Sequence, residues 1–299
     1  MEAVCGYRRG LGWTKVTSGI YLPTPAPSEI ERLQAWSLVL PARAAYTHLT
    51  GAALRGWWLP GPVPHPVFVA SRKGETVPQR PGLHVTRLAE FPSAQVVGGV
   101  RVLDGAEILL AACRDLGLLD LVQLGDSALR HGDCTLDELT ALAAQRRAGV
   151  VQLRRLIPLL DERSESPWES VMRLLHWAAG IEVKPQHKFF TPTGRFVARV
   201  DLWLKGTNRV HEYDGEVHLS REEQRRDLRR GRALVDLSID RLGYTAREVL
   251  HEGGSIIASA DRVLGRGWDP VRLKNWNALI ADSLWGPIGR RRVDQRWRR

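Results

Sequence analysis

The sequence predicts an α/β (α+β) protein in which a mixed sheet flanked by helices follows a mainly helical portion carrying a short β-ribbon. Two observations predict this. From residue 161 onward the apolar pattern switches between helical and strand period in the order α-β-β-β-α-β-α, with turn residues at each switch. Before residue 160, apolar residues recur mostly at helical spacing, whereas Gly12 to Leu22 alternates around a Ser18-Gly19 turn.

Each element has a local reason. Pro23, Pro25 and Pro27 end the ribbon, and Ser28 with Glu29 and Glu31 starts a helix expected to reach Leu40. A second helix is expected from Pro41 through Ala44, Ala45, Leu49 and Ala53 toward Trp57. Two strands, Val67 to Ala70 and Gly82 to Arg87, bracket a polar turn. Ile108, Leu109, Ala112 and Leu116 then mark a helix that Gly117 ends, and the apolar pattern continues to Leu129. Thr135 and Glu138 form a capping box, and a helix from Val150 to Leu160 closes this half. There is no internal repeat.

The polar stretch from Asp161 to Pro167 is read as a boundary, giving segments 1–160, 161–265 and a basic extension 266–299. In the middle segment, Ser166-Pro167-Trp168-Glu169 caps a helix that Gly180 ends. Strands follow at Ile181 to Phe190, Phe196 to Leu204 and Arg209 to Asp214. A charged helix then runs from Ser220 to Leu237, followed by a strand at Ile239 to Leu242 and a helix from Ser255 to Leu264.

The chain has 299 residues, 43% apolar and 25% charged, which is ordinary for a globular protein. No apolar run is long enough to span a bilayer, and no secretory signal follows Met1. Three widely spaced cysteines fit a reducing cytoplasm and lack the spacing of a zinc site. A net charge of +10, dominated by arginine, is compatible with a nucleic-acid partner, and equally with a genome rich in arginine codons.

The chemistry concentrates in three acids. Asp201 sits mid-strand in Arg199-Val200-Asp201-Leu202-Trp203, where an unpaired carboxylate is costly. Glu212 and Asp214 alternate on the next strand and so share a face. If the strands pair through Gly206-Thr207-Asn208, Asp201 lies beside Glu212. Acids crowded on one face are held by a hard cation such as Mg²⁺ or Mn²⁺, which suits phosphodiester hydrolysis. The other reading is a structural network with Arg199, Lys205, Arg209 or Arg241.

These residues resemble a known signature. Glu212-Tyr213-Asp214-Gly215-Glu216-Val217-His218, preceded by Arg199-Val200-Asp201-Leu202, is similar to a bacterial domain of unknown function akin to the very-short-patch-repair endonucleases. That domain belongs to the restriction-endonuclease-like PD-(D/E)XK superfamily. Asp227, Arg230, Leu234, Arg241 and the Ser166 to Ser170 helix start also match, so the resemblance covers about a third of the chain. It implies a restriction-endonuclease-like sheet and metal-dependent DNA cleavage, with Asp201 and Glu212 as metal ligands. Asp214 stands where most of the superfamily has lysine, leaving Arg241 or Arg230 as substitutes for that cation. Glu169 would reach in from the first helix, or serve only its cap. His218 would sit near the attacking water or the leaving group, or be an exposed loop residue. Arg225, Arg226, Arg229, Arg230 and Arg241 would hold the DNA backbone. The default for the helix among them is a solvated face.

The first half resembles the wing of the winged-helix module in actinobacterial relatives of AbiEi-type antitoxins, through Gly12-Trp13-Thr14-Lys15-Val16 and Gly19-Ile20-Tyr21. The helix-turn-helix expected before such a wing is absent or truncated. The C-terminal Arg290 to Arg292 and Arg296-Trp297-Arg298-Arg299 suit single-strand contact or an unstructured tail. Three functions follow: a metal-dependent DNA nuclease in phage defence, a toxin system or repair; a catalytically inactive DNA-binding regulator or antitoxin on the same fold; and an interaction protein whose acids are plain ion pairs. A homodimer or a partner protein is compatible with each.

Overall fold

The computed structural model describes residues 3–6, 10, 12–61, 63–215 and 221–297; the side chains of 221–224, 226 and 227 are outside the description. It is an α+β protein.

In the first half, β1 (Val4–Cys5), β2 (Thr14–Thr17) and β3 (Ile20–Leu22) form the ribbon, extended to three strands. Helix α1 (Glu29–Ser37) starts at Ser28, whose hydroxyl accepts the Glu31 N–H while Glu31 reaches back to the cap. The expected helix from Pro41 to Trp57 is shorter. Ala45 and Tyr46 are drawn into a strand, β4 (Ala45–Tyr46), and only α2 (His48–Leu54) is helical. Tertiary pairing overrides local period there, since β4 is gripped on both sides by β5 (Val67–Arg72) and β8 (Val100–Leu103). Strands β6 (Leu83–Leu88) and β7 (Ala94–Val97) complete a five-stranded mixed sheet in the order β6-β5-β4-β8-β7. The β7–β8 hairpin was not anticipated. Its signal is Gly98-Gly99, both at positive φ, between two alternating segments.

Helices α3 (Gly105–Ala112), α4 (Leu118–Arg130), α5 (Leu136–Ala143) and α6 (Val150–Leu156) follow. In the second half, α7 (Pro167–Ala178) leads into β9 (Val183–Phe190), β10 (Phe196–Leu204) and β11 (Arg209–Tyr213), then α8 (Arg221–Asp236) and β12 (Asp240–Tyr244). Its sheet runs β12-β11-β10-β9, antiparallel except for the β11–β12 pair. The α-β-β-β-α-β order is as expected, with ends shifted by a residue or two. A short helix, α9 (Ala246–His251), capped by Thr245 and Glu248, precedes α10 (Gly253–Val263).

Helices α11 (Lys274–Asp282) and α12 (Pro287–Trp297) form the basic C-terminal segment, and they are packed. Trp276 is 1% exposed, and the Trp297 ring is buried with its Nε1 donating to Asp115 (3.1 Å). Trp297 therefore offers no stacking platform. Arg298 and Arg299 lie outside the described residues. No helix among the described residues is long and apolar enough to cross a membrane.

One apolar cluster runs from Leu33 to Trp297 and includes α4, α7 and Trp276. The 161–166 stretch is tied down by Asp126 on α4, which is fully buried. Its carboxylate accepts from Asp161 N (2.7 Å), Ser164 Oγ (3.2 Å) and Arg173 Nη2 (2.7 Å). Removing this acid would leave a mostly buried guanidinium and a backbone N–H without their acceptor. Asp126→Ala is therefore expected to lose about 3 kcal/mol or more of unfolding free energy. Urea denaturation checks this, and a loss below 1 kcal/mol would refute it.

Candidate functional site

The site is assembled at the α7 N-terminus and across β9, β10 and β11. Strands β10 and β11 pair as Leu202↔His211 and Trp203↔Val210, a register that sets Asp201 opposite Glu212. The short turn Gly206-Thr207-Asn208, with Gly206 at φ 80°, fixes that register by allowing the chain to reverse at once. Asp201 Oδ2 accepts the backbone N–H of Tyr213 at 2.9 Å.

Glu169 departs from its simple capping role. Ser166 accepts the Glu169 N–H as an N-cap should, but the Glu169 carboxylate does not close a box on Ser166. Its Oε2 instead accepts from Glu165 N (2.9 Å) and from Gln186 Nε2 (2.8 Å). Gln186 on β9, opposite Asp201, also hydrogen-bonds that acid, so one amide bridges two carboxylates. Gln186 holds φ at +50°, a left-handed conformation that a residue with a Cβ adopts only under local constraint. It was not foreseen; a lone amide within a strand gives no chemical signal until its neighbours across the sheet are known.

Burial dominates the electrostatics. It pushes the Glu169 carboxyl up to about 6, with the neighbouring Asp201 charge adding to it. Burial also raises Asp201, against the Tyr213 N–H and the Arg230 charge, and raises Glu212, against Arg230 and Arg241. Glu212 is 2% exposed, and both of its oxygens are engaged: Oε1 by Arg230 Nη2 and Oε2 by Arg241 Nε. Arg241 Nη2 also lies 3.7 Å from Asp214 Oδ1. The Asp214 carboxylate occupies space over Gly243, where any Cβ would collide with it. Gly243 faces Glu212 across the β11–β12 pairing.

Of the expected structural partners, only Arg241 pairs with these acids. Arg199 forms a fork on Glu165 (3.0 and 2.6 Å), Lys205 pairs with Glu182 (2.7 Å), and Arg209 with Asp240. Arg230 and Arg241, foreseen as backbone-binding residues, are engaged with Glu212; the two suggested as lysine substitutes are thus both brought to it. Arg225 and Arg229 are exposed on α8, whereas the Arg226 side chain and the whole of His218 lie outside the described residues.

On the opposite side of β11, His211 and His176 form a buried pair, Nδ1 to Nε2 at 2.9 Å. His176 Nδ1 faces the Met172 carbonyl at 2.7 Å. A carbonyl only accepts, so His176 carries its proton on Nδ1 and takes the His211 N–H on Nε2. Burial drives His176 down to about 4 and His211 down to about 2, so both rings are neutral. His187 stacks on Trp203 with centroids 4.4 Å apart.

Carboxylate and amide oxygens are the right donor type for a hard divalent ion. Among the described residues, no group of three or more acids, histidines or cysteines is placed to hold a metal. Two guanidinium groups supply the positive charge at Glu212.

The comparisons with known proteins add little to this geometry. Two proteins of Mycobacterium tuberculosis match: "Uncharacterized protein MT2308" of strain CDC 1551 / Oshkosh and "Uncharacterized protein Rv2248" of strain ATCC 25618 / H37Rv. Each is 32% identical over 144 residues, 47% of this chain and 53% of the relative. The chain thus spans about half the length of the curated relatives it matches. No family model and no solved structure matches it.

Glu169 gives a signed pH prediction. Its folded value of about 6 exceeds the ordinary 4.5, so between those values the folded protein holds more protons than the unfolded chain. The group favours folding at low pH, and its contribution turns unfavourable as pH rises through 6. Glu169→Gln keeps an oxygen for Glu165 N and removes the charge beside Asp201. The variant is expected to be about 1–2 kcal/mol more stable at pH 7.5, with the gain gone by pH 4.5. Urea unfolding at both pH values measures this, and a variant less stable than the parent at pH 7.5 would contradict it.

Proposed function

We propose that the protein hydrolyses DNA phosphodiester bonds as an endonuclease, with Glu169, Asp201 and Glu212 at its centre. One observation carries this reading. Three acids from three separate elements converge, all pushed toward protonation by burial, in an arrangement that opposes folding at neutral pH. Single buried acids such as Asp120 and Asp126 are raised by burial as well, so it is the clustering of three such groups that points to a functional site. A carboxyl titrating near 6 is matched to general acid–base work at neutral pH. Arg230 and Arg241 present forked donors that suit a phosphate as well as a carboxylate. The exposed Arg225 and Arg229 on α8 extend positive charge beyond the acids. The restriction-endonuclease-like resemblance of residues 166–241 supports the same reading, as does the α-β-β-β-α-β order.

A second reading is favoured by a specific contact. Both Glu212 oxygens are held by arginine, which suits a regulator or antitoxin that binds DNA without cutting it. Mg²⁺ or Mn²⁺ dependence belongs to the nuclease proposal on sequence grounds. It enters the test as an added component, not as an assumed part of the centre.

The discriminating experiment incubates the full chain with single- and double-stranded DNA, with Mg²⁺, with Mn²⁺ and with EDTA, beside Asp201→Asn and Glu169→Gln. The nuclease predicts cleavage that falls by about 100-fold or more in each variant while DNA retention on a gel is kept. Intact DNA under every metal condition, with retention at low salt, replaces it with the regulator. Neither cleavage nor retention refutes both.

A further inference from the structure

The first half contains a cleft of about 690 Å³ between the five-stranded sheet, α3 and the 145–148 loop. It shares no residue with the carboxylate site. Small residues make room for it: Ala70 and Thr86 are paired neighbours on β5 and β6, and Leu103 and Leu110 supply apolar wall. Four arginines (87, 114, 146 and 147) face two glutamates (90 and 107) around it, a net charge of +2.

These arginines are not equivalent. Arg147 is spent as a fork on Glu107, with both bonds at 2.6 Å, which pins the loop to α3. Arg87 donates to the Glu75 carbonyl at 2.7 Å. Arg114 has only a long contact to Thr86 Oγ1, 3.5 Å, and Arg146 makes no hydrogen bond or ion pair among the described residues. Two guanidinium groups, Arg114 half-buried and Arg146 exposed, therefore line a cleft of mixed polar and apolar wall with few protein acceptors among the described residues.

Thr47 in the same wall is the second observation. It is 1% exposed, and its hydroxyl has no hydrogen-bond partner among the described residues. It stands at the N-cap of α2, where a threonine hydroxyl ordinarily accepts a backbone N–H, yet no such bond forms. The Leu49 N–H goes instead to His48 Nδ1 at 2.8 Å, with His48 at φ +51°. An unpartnered buried hydroxyl is unfavourable by roughly 1–3 kcal/mol, which a ligand oxygen would offset.

We propose that this cleft binds a terminal phosphomonoester on a body of mononucleotide size, the phosphate meeting Arg114, Arg146, Thr47 and Thr86 and the body lying against Ala70, Leu103 and Leu110. A dianion with three acceptor oxygens matches two guanidinium groups and two hydroxyls better than a carboxylate does. The volume lies in the ordinary range for small-ligand sites, about 300–1,000 Å³.

The test is isothermal titration of the full chain with adenosine 5′-monophosphate, adenosine, succinate and a short oligonucleotide with and without a 5′-phosphate. Saturable binding of the monophosphate is expected, with adenosine and succinate at least about tenfold weaker. Arg114→Gln should weaken the monophosphate by about tenfold without altering the melting temperature. Thr47→Val should also weaken it while raising the melting temperature, a combination that a merely structural threonine would not give. If only the 5′-phosphorylated strand binds, with the same Arg114→Gln loss, the phosphate is supplied by a strand end. No saturable binding of either phosphate carrier overturns the proposal. So does succinate binding as well as the monophosphate, or affinity unchanged in both variants. None of these outcomes depends on DNA cleavage.

Discussion

The second half of the molecule is organised around a charge problem: carboxylates removed from water on adjacent elements, with two arginines brought to one of them. Glu212 is almost fully enclosed, and Glu169 is 7% exposed. Neither could remain charged at such depth without donors aimed at it. The surrounding structure follows from that need. Strand β9 twists at Gln186 so that one amide serves Glu169 and Asp201, and the Tyr213 N–H turns to Asp201. Gly243 gives up a side chain so that Asp214 can lie over β12 near Arg241. Arg230 arrives from α8 and also anchors on the Arg199 carbonyl at 2.8 Å.

Buried acids do a different job in the rest of the chain. Asp120 accepts Leu284 N (3.1 Å) and Gly117 N (3.3 Å), Asp261 pairs with Arg272, and Asp115 gathers Arg296 (2.7 Å) and Trp297. Together with Asp126, these staple chain segments far apart in sequence onto one apolar cluster. In each, a single acid meets its own donors. The constellation around Asp201 is unlike them because three acids share one amide and two arginines, with the Asp201 charge raising the proton affinity of both Glu169 and Glu212. That difference in arrangement, more than the presence of acids, separates a candidate site from a structural ion pair.

Some of this was legible in the sequence and some could not be. The Asp201–Glu212 contact follows from counting outward from a three-residue turn, because a short antiparallel hairpin leaves almost no freedom of register. Most strands and helices of 161–265 were likewise readable from period and caps, but α9 was missed although Thr245 and Glu248 form its capping box. Contacts that depend on parallel pairing or on helix rotation were not readable. The meeting of Gly243 with Asp214 needs β12 to come back beside β11. The choice of Arg230 over Arg225 or Arg229 depends on which face of α8 turns inward. In the first half, β4 was hidden because Ala45 and Tyr46 become a strand only when β5 and β8 flank them. The packing of Trp297 on Asp115 joins residues 182 apart in sequence, beyond the reach of any local pattern.

The arginines on Glu212 sharpen the relation between binding and chemistry. A phosphate entering this site would compete with Glu212 for the same guanidinium forks, because each fork can satisfy only one anion well at a time. Separating a buried glutamate from its partners is unfavourable by several kcal/mol unless another positive charge or a proton takes their place. Phosphate recognition by Arg230 or Arg241 is thus thermodynamically coupled to neutralisation of Glu212, whatever the neutralising species. Glu169 and Asp201 are themselves pushed toward protonation by burial. On this argument the arginine pairs and the proposed catalytic role are compatible. The pairs offset part of the burial penalty on Glu212, and a phosphate drawing on the same arginines would change that balance.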